Sequence, residues 1–280
     1  MTTNSSGAVR AVLFAATAAL AGCGGLDGMS SAPLTHVAEV DADPAQDNAG
    51  NISSLTEVIQ EHPNDAVPYN TRGVAYAKSA RYSQAIADFS QAVRLDPHFA
   101  AAYVNRALAY RQIRKDDLAL TDFNAAIVAN PQDSAAYLGR GNLLRSQGNY
   151  PAALADLNQA ITLNPEGAQA YHARGLIYQA QGDNVRAVTD FDNAIDRDGF
   201  AAAPYQARGQ SLLALGKYDK AIEDFNATLN VDPKNADAWA SLGLAYEKQG
   251  NREKAVESYN RALSINPGDQ VARAGLSRLS

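Results

Sequence analysis

Few side chains in this 280-residue chain combine the types and the spacing that chemistry requires. There is one cysteine, Cys23, so no internal disulfide forms, and none of the four histidines (His36, His62, His98, His172) stands beside a second His or Cys at metal-ligand spacing. The acidic trio Asp41, Asp43 and Asp47 lacks the glycine and closing glutamate of a calcium loop and reads as solvating charge. One charged pattern does recur. Arg72, Arg106, Arg140, Arg174 and Arg208 are each followed sixteen residues later by an aspartate: Asp88, Asp122, Asp156, Asp190 and Asp224. At the sixth such place both partners change together, to Leu242 and Ser258. A matched exchange implies contact, so each Arg and Asp is read as an ion pair joining two structural elements. Five equivalent copies argue for architecture and against catalysis.

The elements that position these pairs show in the same spacing. The aromatic column Tyr69, Tyr103, Tyr137, Tyr171, Tyr205, Trp239 recurs every 34 residues without insertion. Four positions later stand Gly73, Ala107, Gly141, Gly175, Gly209 and Gly243; twelve further on stand Ala85, Ala119, Ala153, Ala187, Ala221 and Ala255. Four later again come Phe89, Phe123, Leu157, Phe191, Phe225 and Tyr259, and prolines close five of the six units at Pro97, Pro131, Pro165, Pro233 and Pro267. Two small columns let paired helices approach closely, aromatic columns fill the space around them, and proline ends the second helix. Gly148, Gly182, Gly216 and Gly250 supply the turn within a pair, with Ala80 and Arg114 in their place in the first two units. A hydrophobic fraction of 46% that leans on alanine and 13 tyrosines suits such close-packed helices.

This pattern resembles the tetratricopeptide repeat (TPR) family over six units: 66–99, 100–133, 134–167, 168–201, 202–235 and 236–269. The resemblance implies an all-α, right-handed α-solenoid of helix-turn-helix repeats. Residues 51–65 match only the second half of a unit and read as an N-terminal cap, with Leu55 and Val58 in core columns; residues 270–280 read as a C-terminal capping helix. The junction at Asp198, Gly199 and Phe200 lacks the closing proline and reads as a glycine-ended helix, with a hinge as the alternative.

On each first helix the Tyr, Gly and Arg columns face the partner helix, so the other face lines an inner groove, where TPR proteins hold peptides or helices. Its first column is Asn70, Val104, Leu138, His172, Gln206, Ala240; its second is Val74, Leu108, Asn142, Leu176, Gln210, Leu244; its third is Ala77, Arg111, Arg145, Gln179, Leu213, Glu247. Apolar and amide side chains with Lys78, Arg111 and Arg145 suit a segment needing apolar anchors and backbone hydrogen bonds, with acidic character near the first three units. Asn70 and Val74 stand where a C-terminal carboxylate clamp would want Lys and Asn, so that mode is not expected.

The start of the chain reads as an address. Arg10 precedes the apolar run Ala11 to Ala21, too short to span a bilayer, and the tetrad Leu20, Ala21, Gly22, Cys23 resembles a bacterial lipobox. Residues 1–22 are thus expected to be a signal peptide, and the resemblance implies that Cys23 is acylated and anchors the chain to a membrane. Gly24 stands where similar enterobacterial lipoproteins carry an Asp for inner-membrane retention, so the resemblance implies the outer membrane, with a periplasm-facing body. Residues 23–50 read as a disordered acidic tether, carrying Asp27, Glu39, Asp41, Asp43 and Asp47 with no Lys or Arg. Net charge is -6 and no basic stripe appears, which excludes nucleic acid as the expected partner. No catalytic constellation and no cofactor site is expected. The combination resembles the NlpI-type outer-membrane lipoproteins, implying a periplasmic scaffold that recruits cell-envelope enzymes through peptide or helix segments. The alternative is a pilotin or assembly factor of a pilus or secretin system, resembling TadD-like or PilF-like proteins.

Overall fold

A computed structural model describes residues 45–280. The expected signal segment, Cys23 and the tether up to residue 44 lie outside the described residues.

The described residues form fourteen α-helices and no strand. A leading helix α1 (Ala45–Glu61) is followed by six pairs: α2 (Ala66–Lys78) with α3 (Tyr82–Leu95), α4 (Ala100–Gln112) with α5 (Asp116–Ala129), α6 (Ser134–Ser146) with α7 (Tyr150–Leu163), α8 (Ala168–Ala180) with α9 (Asn184–Arg197), α10 (Ala202–Ala214) with α11 (Tyr218–Val231), and α12 (Ala236–Gln249) with α13 (Arg252–Ile265); α14 (Gln270–Leu279) ends the chain. Each helix packs on the next, as a TPR α-solenoid requires. Consecutive first helices also touch one another, whereas among the described residues no two second helices do. The first helices therefore make the inner wall and the second helices the outer one.

Close approach within a pair rests on the small columns. A methyl group at Gly243 would lie 2.6 Å from the Tyr259 ring, and one at Gly175 2.6 Å from Phe191. In the second unit Ala107 already fills that space, and Phe123 presses instead on Gly139 of the next first helix. The turns within pairs need left-handed backbone: Gly148 and its equivalents adopt it freely, while Ala80 and Arg114 take φ of 55° and 60° against the clash of their Cβ atoms. Between units an Asp or Asn ends the second helix and accepts from the backbone two residues on, as Asp96 does from His98, Asn130 from Gln132 and Asp232 from Lys234. Asp198 makes the same bond to the Phe200 N–H, so this junction is closed by Asp198 rather than by Gly199, and its geometry matches junctions that carry proline.

One boundary and one core position differ from expectation. Helix α1 begins at Ala45 and takes in six residues assigned to the tether. Pro44 precedes it, and a proline just ahead of a helix costs no hydrogen bond, so the stretch after it was free to become helical. Within α1, Ile59 is buried and Val58 is 38% exposed, although Val58 stands in a core column. That column is covered elsewhere by the unit's own first helix, which α1 lacks.

Candidate partner-binding groove

The five Arg and Asp pairs are two-toothed. In each, the guanidinium donates Nε to one carboxylate oxygen and Nη2 to the other at 2.7–2.9 Å, as Arg140 does to Asp156 and Arg174 to Asp190. The aspartates are nearly buried, with 3–9% of the side chain exposed, and the arginines are 15–24% exposed. The third nitrogen, Nη1, reaches back to the preceding outer helix: Arg72 to Thr56, Arg106 to Ser90, Arg140 to Asn124, Arg174 to Asn158 and Arg208 to Asp192. Each guanidinium also lies over its unit's Tyr, 5.6–5.9 Å from the ring centre. One arginine thus ties three helices together. Its hydrogen bond to Asp holds each guanidinium above its ordinary pKa despite burial. Asp224 moves upward, because desolvation outweighs the bond from Arg208, whose charge Asp192 shares. In the sixth unit Leu242 is 2% exposed among apolar neighbours, and the Ser258 hydroxyl donates to the Lys254 carbonyl.

The groove columns are not equivalent. The first sinks into the contact between neighbouring inner helices: Asn70 is 6% and Val104 2% exposed, so neither presents a surface to a partner. Asn70 accepts from Asn105 of the next inner helix at 3.0 Å, and Gln206 accepts from Asn235 at 3.0 Å. Gln179 is likewise engaged, donating to the Ala207 carbonyl and the Ser211 hydroxyl. Periodicity marks these residues as facing inward; the close approach of the inner helices is what buries or occupies them. Leu138, His172, Val74, Leu108, Asn142, Leu176, Arg111 and Arg145 stay half-buried on the inner wall, and Gln210 and Lys78 are exposed. His172 is neutral at neutral pH, its pKa lowered to about 4 by burial and by the nearby charge of Arg145. Its ring lies 5.8 Å from that of Phe191. Glu247, in the third column, accepts from Tyr259 and pairs with Arg278 of α14, which fastens the final helix.

Between the ends of α2, α4 and α6 lies a cavity of about 370 Å³, lined by Val74, Ala77, Tyr82, Leu108, Arg111, Arg114 and Asn105 among others. Among the described residues no group of three or more His, Cys, Asp or Glu side chains could hold a metal ion. None of the described helices is long and apolar enough to cross a membrane.

Comparison with known proteins agrees with this architecture. Tetratricopeptide repeat patterns match residues 70–134, 207–270 and 168–199, and a TPR repeat pattern matches residues 141–182. No curated protein sequence matches the chain. Among solved structures, a chain of the APC/C hetero-tetramer Cut9-Hcn1 superposes with TM-score 0.73 at 22% identity over 83% of this chain; the present chain spans only 46% of that one. The pilF protein of Pseudomonas aeruginosa is similar with TM-score 0.68 and 16% identity, over 83% of this chain and 100% of its own. YrrB, described as a TPR protein with an unusual peptide-binding site, gives TM-score 0.58 at 24% identity, over 68% of this chain and 97% of its own. The chain is a tetratricopeptide-repeat protein. Its repeated Arg and Asp residues are spent on joining helices, and the fold is a TPR α-solenoid.

Proposed function

We propose that this protein holds a peptide or helical segment of partner proteins along the inner wall of its solenoid, while an acylated Cys23 anchors it to the outer membrane facing the periplasm. The observation that carries the reading is the inner wall itself: a row of six neighbouring first helices whose second and third columns offer Leu and Val beside Asn, Gln and Arg. Of the two finer roles, assembly of a pilus or secretin system has the better support. Both pilF and PilW, the latter described as a type IV pilus biogenesis factor, are covered over 100% of their own length, with TM-scores of 0.68 and 0.64. At 16% and 18% identity that support comes from the fold. The NlpI-like role, recruiting cell-envelope enzymes, is the second reading and rests on the lipobox beside the repeats.

A photo-crosslinking amino acid at Leu176, on the inner wall, is expected to capture partner proteins in cells, and one at Val128, 82% exposed on the outer helix α5, is not. Equal capture from both positions would refute the groove as the binding face. Pilus or secretin components among the captured proteins would favour the first role, and peptidoglycan enzymes the second. Cys23→Ser is expected to release the protein from the membrane fraction; a variant that still sediments after a high-salt wash would refute the lipid anchor.

A further inference from the structure

The cavity between α2, α4 and α6 adds chemistry to that groove. We infer that the first three units form a subsite for an acidic peptide, seating a leucine-sized side chain in the cavity beside Asn105 and pairing the peptide's carboxylates with Arg111 and Arg114. The inference rests on the groove reading above and specifies the partner's chemistry.

Three observations support it. At about 370 Å³ the cavity falls within the range of about 300 to 1,000 Å³ that encloses small ligands, and Val74, Ala77 and Leu108 give it an apolar wall. Asn105 spends its Nδ2 on Asn70, and its buried Oδ1 has no hydrogen-bond partner among the described residues. Leaving a buried acceptor unmade is costly, and a turn of the Asn105 amide toward the cavity would let the guest's backbone N–H, since a leucine side chain has none, relieve that cost. Charge is also distributed unevenly along the wall. The third groove column carries Arg111 and Arg145 in the second and third units and continues as Gln179, Leu213 and Glu247 in the last three; beside the cavity the turns add Arg81, Arg114 and Lys115. Among the described residues Asp116, in the first turn of α5, is the one carboxylate in the cavity lining. Arg111 and Arg114 form no ion pair among the described residues, so their charge is available to a guest.

The test uses the purified full chain and a rhodamine-labelled peptide, acetyl-Gly-Asp-Leu-Asp-Glu-Leu-Glu-Gly-amide, followed by fluorescence anisotropy. Both ends are capped so that a terminal carboxylate plays no part. Binding is expected to be about tenfold tighter than for a peptide with Asn and Gln replacing the acids, or with Gly replacing the leucines, and to weaken with salt. Arg111→Glu is expected to weaken it about tenfold and Arg111→Lys to keep most of it. Ala77→Trp, which fills the cavity, is expected to abolish binding with the circular dichroism spectrum and melting unchanged. Equal binding of the neutral peptide, or full binding by the folded Ala77→Trp protein, would overturn the inference. So would binding that emerges only when residues 24–44 are deleted, because the occupant would then be the chain's own acidic segment. Should the peptide fail while Leu176 still captures proteins in cells, the acidic subsite is wrong and the scaffold reading stands.

Discussion

Replacing Arg140 by leucine separates a structural ion pair from incidental proximity. Asp156 has 8% of its side chain exposed and receives two of its hydrogen bonds from Arg140, so the substitution strands a carboxylate where water scarcely reaches. Losing one partner of a buried pair costs about 3 to 5 kcal/mol, and because Arg140 is itself 24% exposed, admitting some water, about 2 to 4 kcal/mol is expected. Asp156→Ser should cost less, about 1 to 2 kcal/mol, since the arginine keeps its bond to Asn124 and its edge in solvent. The double variant copies the sixth unit, where Leu242 packs among apolar side chains and Ser258 bonds to a carbonyl one turn back. It should recover much of the loss, giving a coupling of about 1.5 kcal/mol or more. Urea denaturation of all four proteins, followed by circular dichroism through the same transition, measures it; solenoids need not unfold in two states, so the transitions must correspond. Additive losses would refute the reasoning, as would a larger cost for Asp156→Ser than for Arg140→Leu.

His172 stays neutral in the folded chain down to a pKa of about 4, whereas an unfolded histidine takes a proton near 6.5. Its contribution is therefore complete above about pH 6.5 and is lost as pH falls toward 4, up to about 3 kcal/mol; the urea midpoint of His172→Gln should fall less over that window than that of the unsubstituted protein, and equal slopes would exclude the effect. Gly243→Ala pushes a methyl into the Tyr259 ring, which is fully buried and held by Glu247, and should cost about 1 to 3 kcal/mol in the same assay. Gly141→Ala meets the more yielding Leu157 at 3.0 Å and should cost less; the reverse order would refute the packing argument. Ala80→Gly relieves a left-handed alanine at a smaller entropic cost and should raise stability by about 0.5 kcal/mol, a gain that a lowered melting temperature would contradict.

The solenoid was legible because all six units repeat the small and aromatic columns at an unbroken spacing and five close on proline, which fixes helix pairing as well as helix type. Arg and Asp left a trace because the sixth unit abandons both at once. Their third bond left almost none: Thr56, Ser90, Asn124, Asn158 and Asp192 also recur every 34 residues, but their side chains share only polarity. Asn105 gave no periodic signal, since its column otherwise holds Thr71, Gly139, Ala173, Ala207 and Ser241. The burial of Asn70 and Val104 depends on how near the inner helices come to one another, a distance that periodicity does not encode. Composition could not place the start of α1, because Asp47 and Gly50 weigh against helix and the structure nonetheless builds one from Ala45.

The backward reach of each arginine bears on how the chain is made. Every fork finds one set of partners sixteen residues earlier and the other sixteen residues later. A chain emerging from its N-terminal end therefore meets each arginine's first partner already in place, and supplies the second before the next unit's arginine is far behind. Growth can proceed one unit at a time onto a finished edge, with no guanidinium waiting long for its carboxylate. In the sixth unit the demand ceases: Leu242 asks for nothing polar from upstream, and the short helix after it is fastened through Glu247 and Arg278 instead.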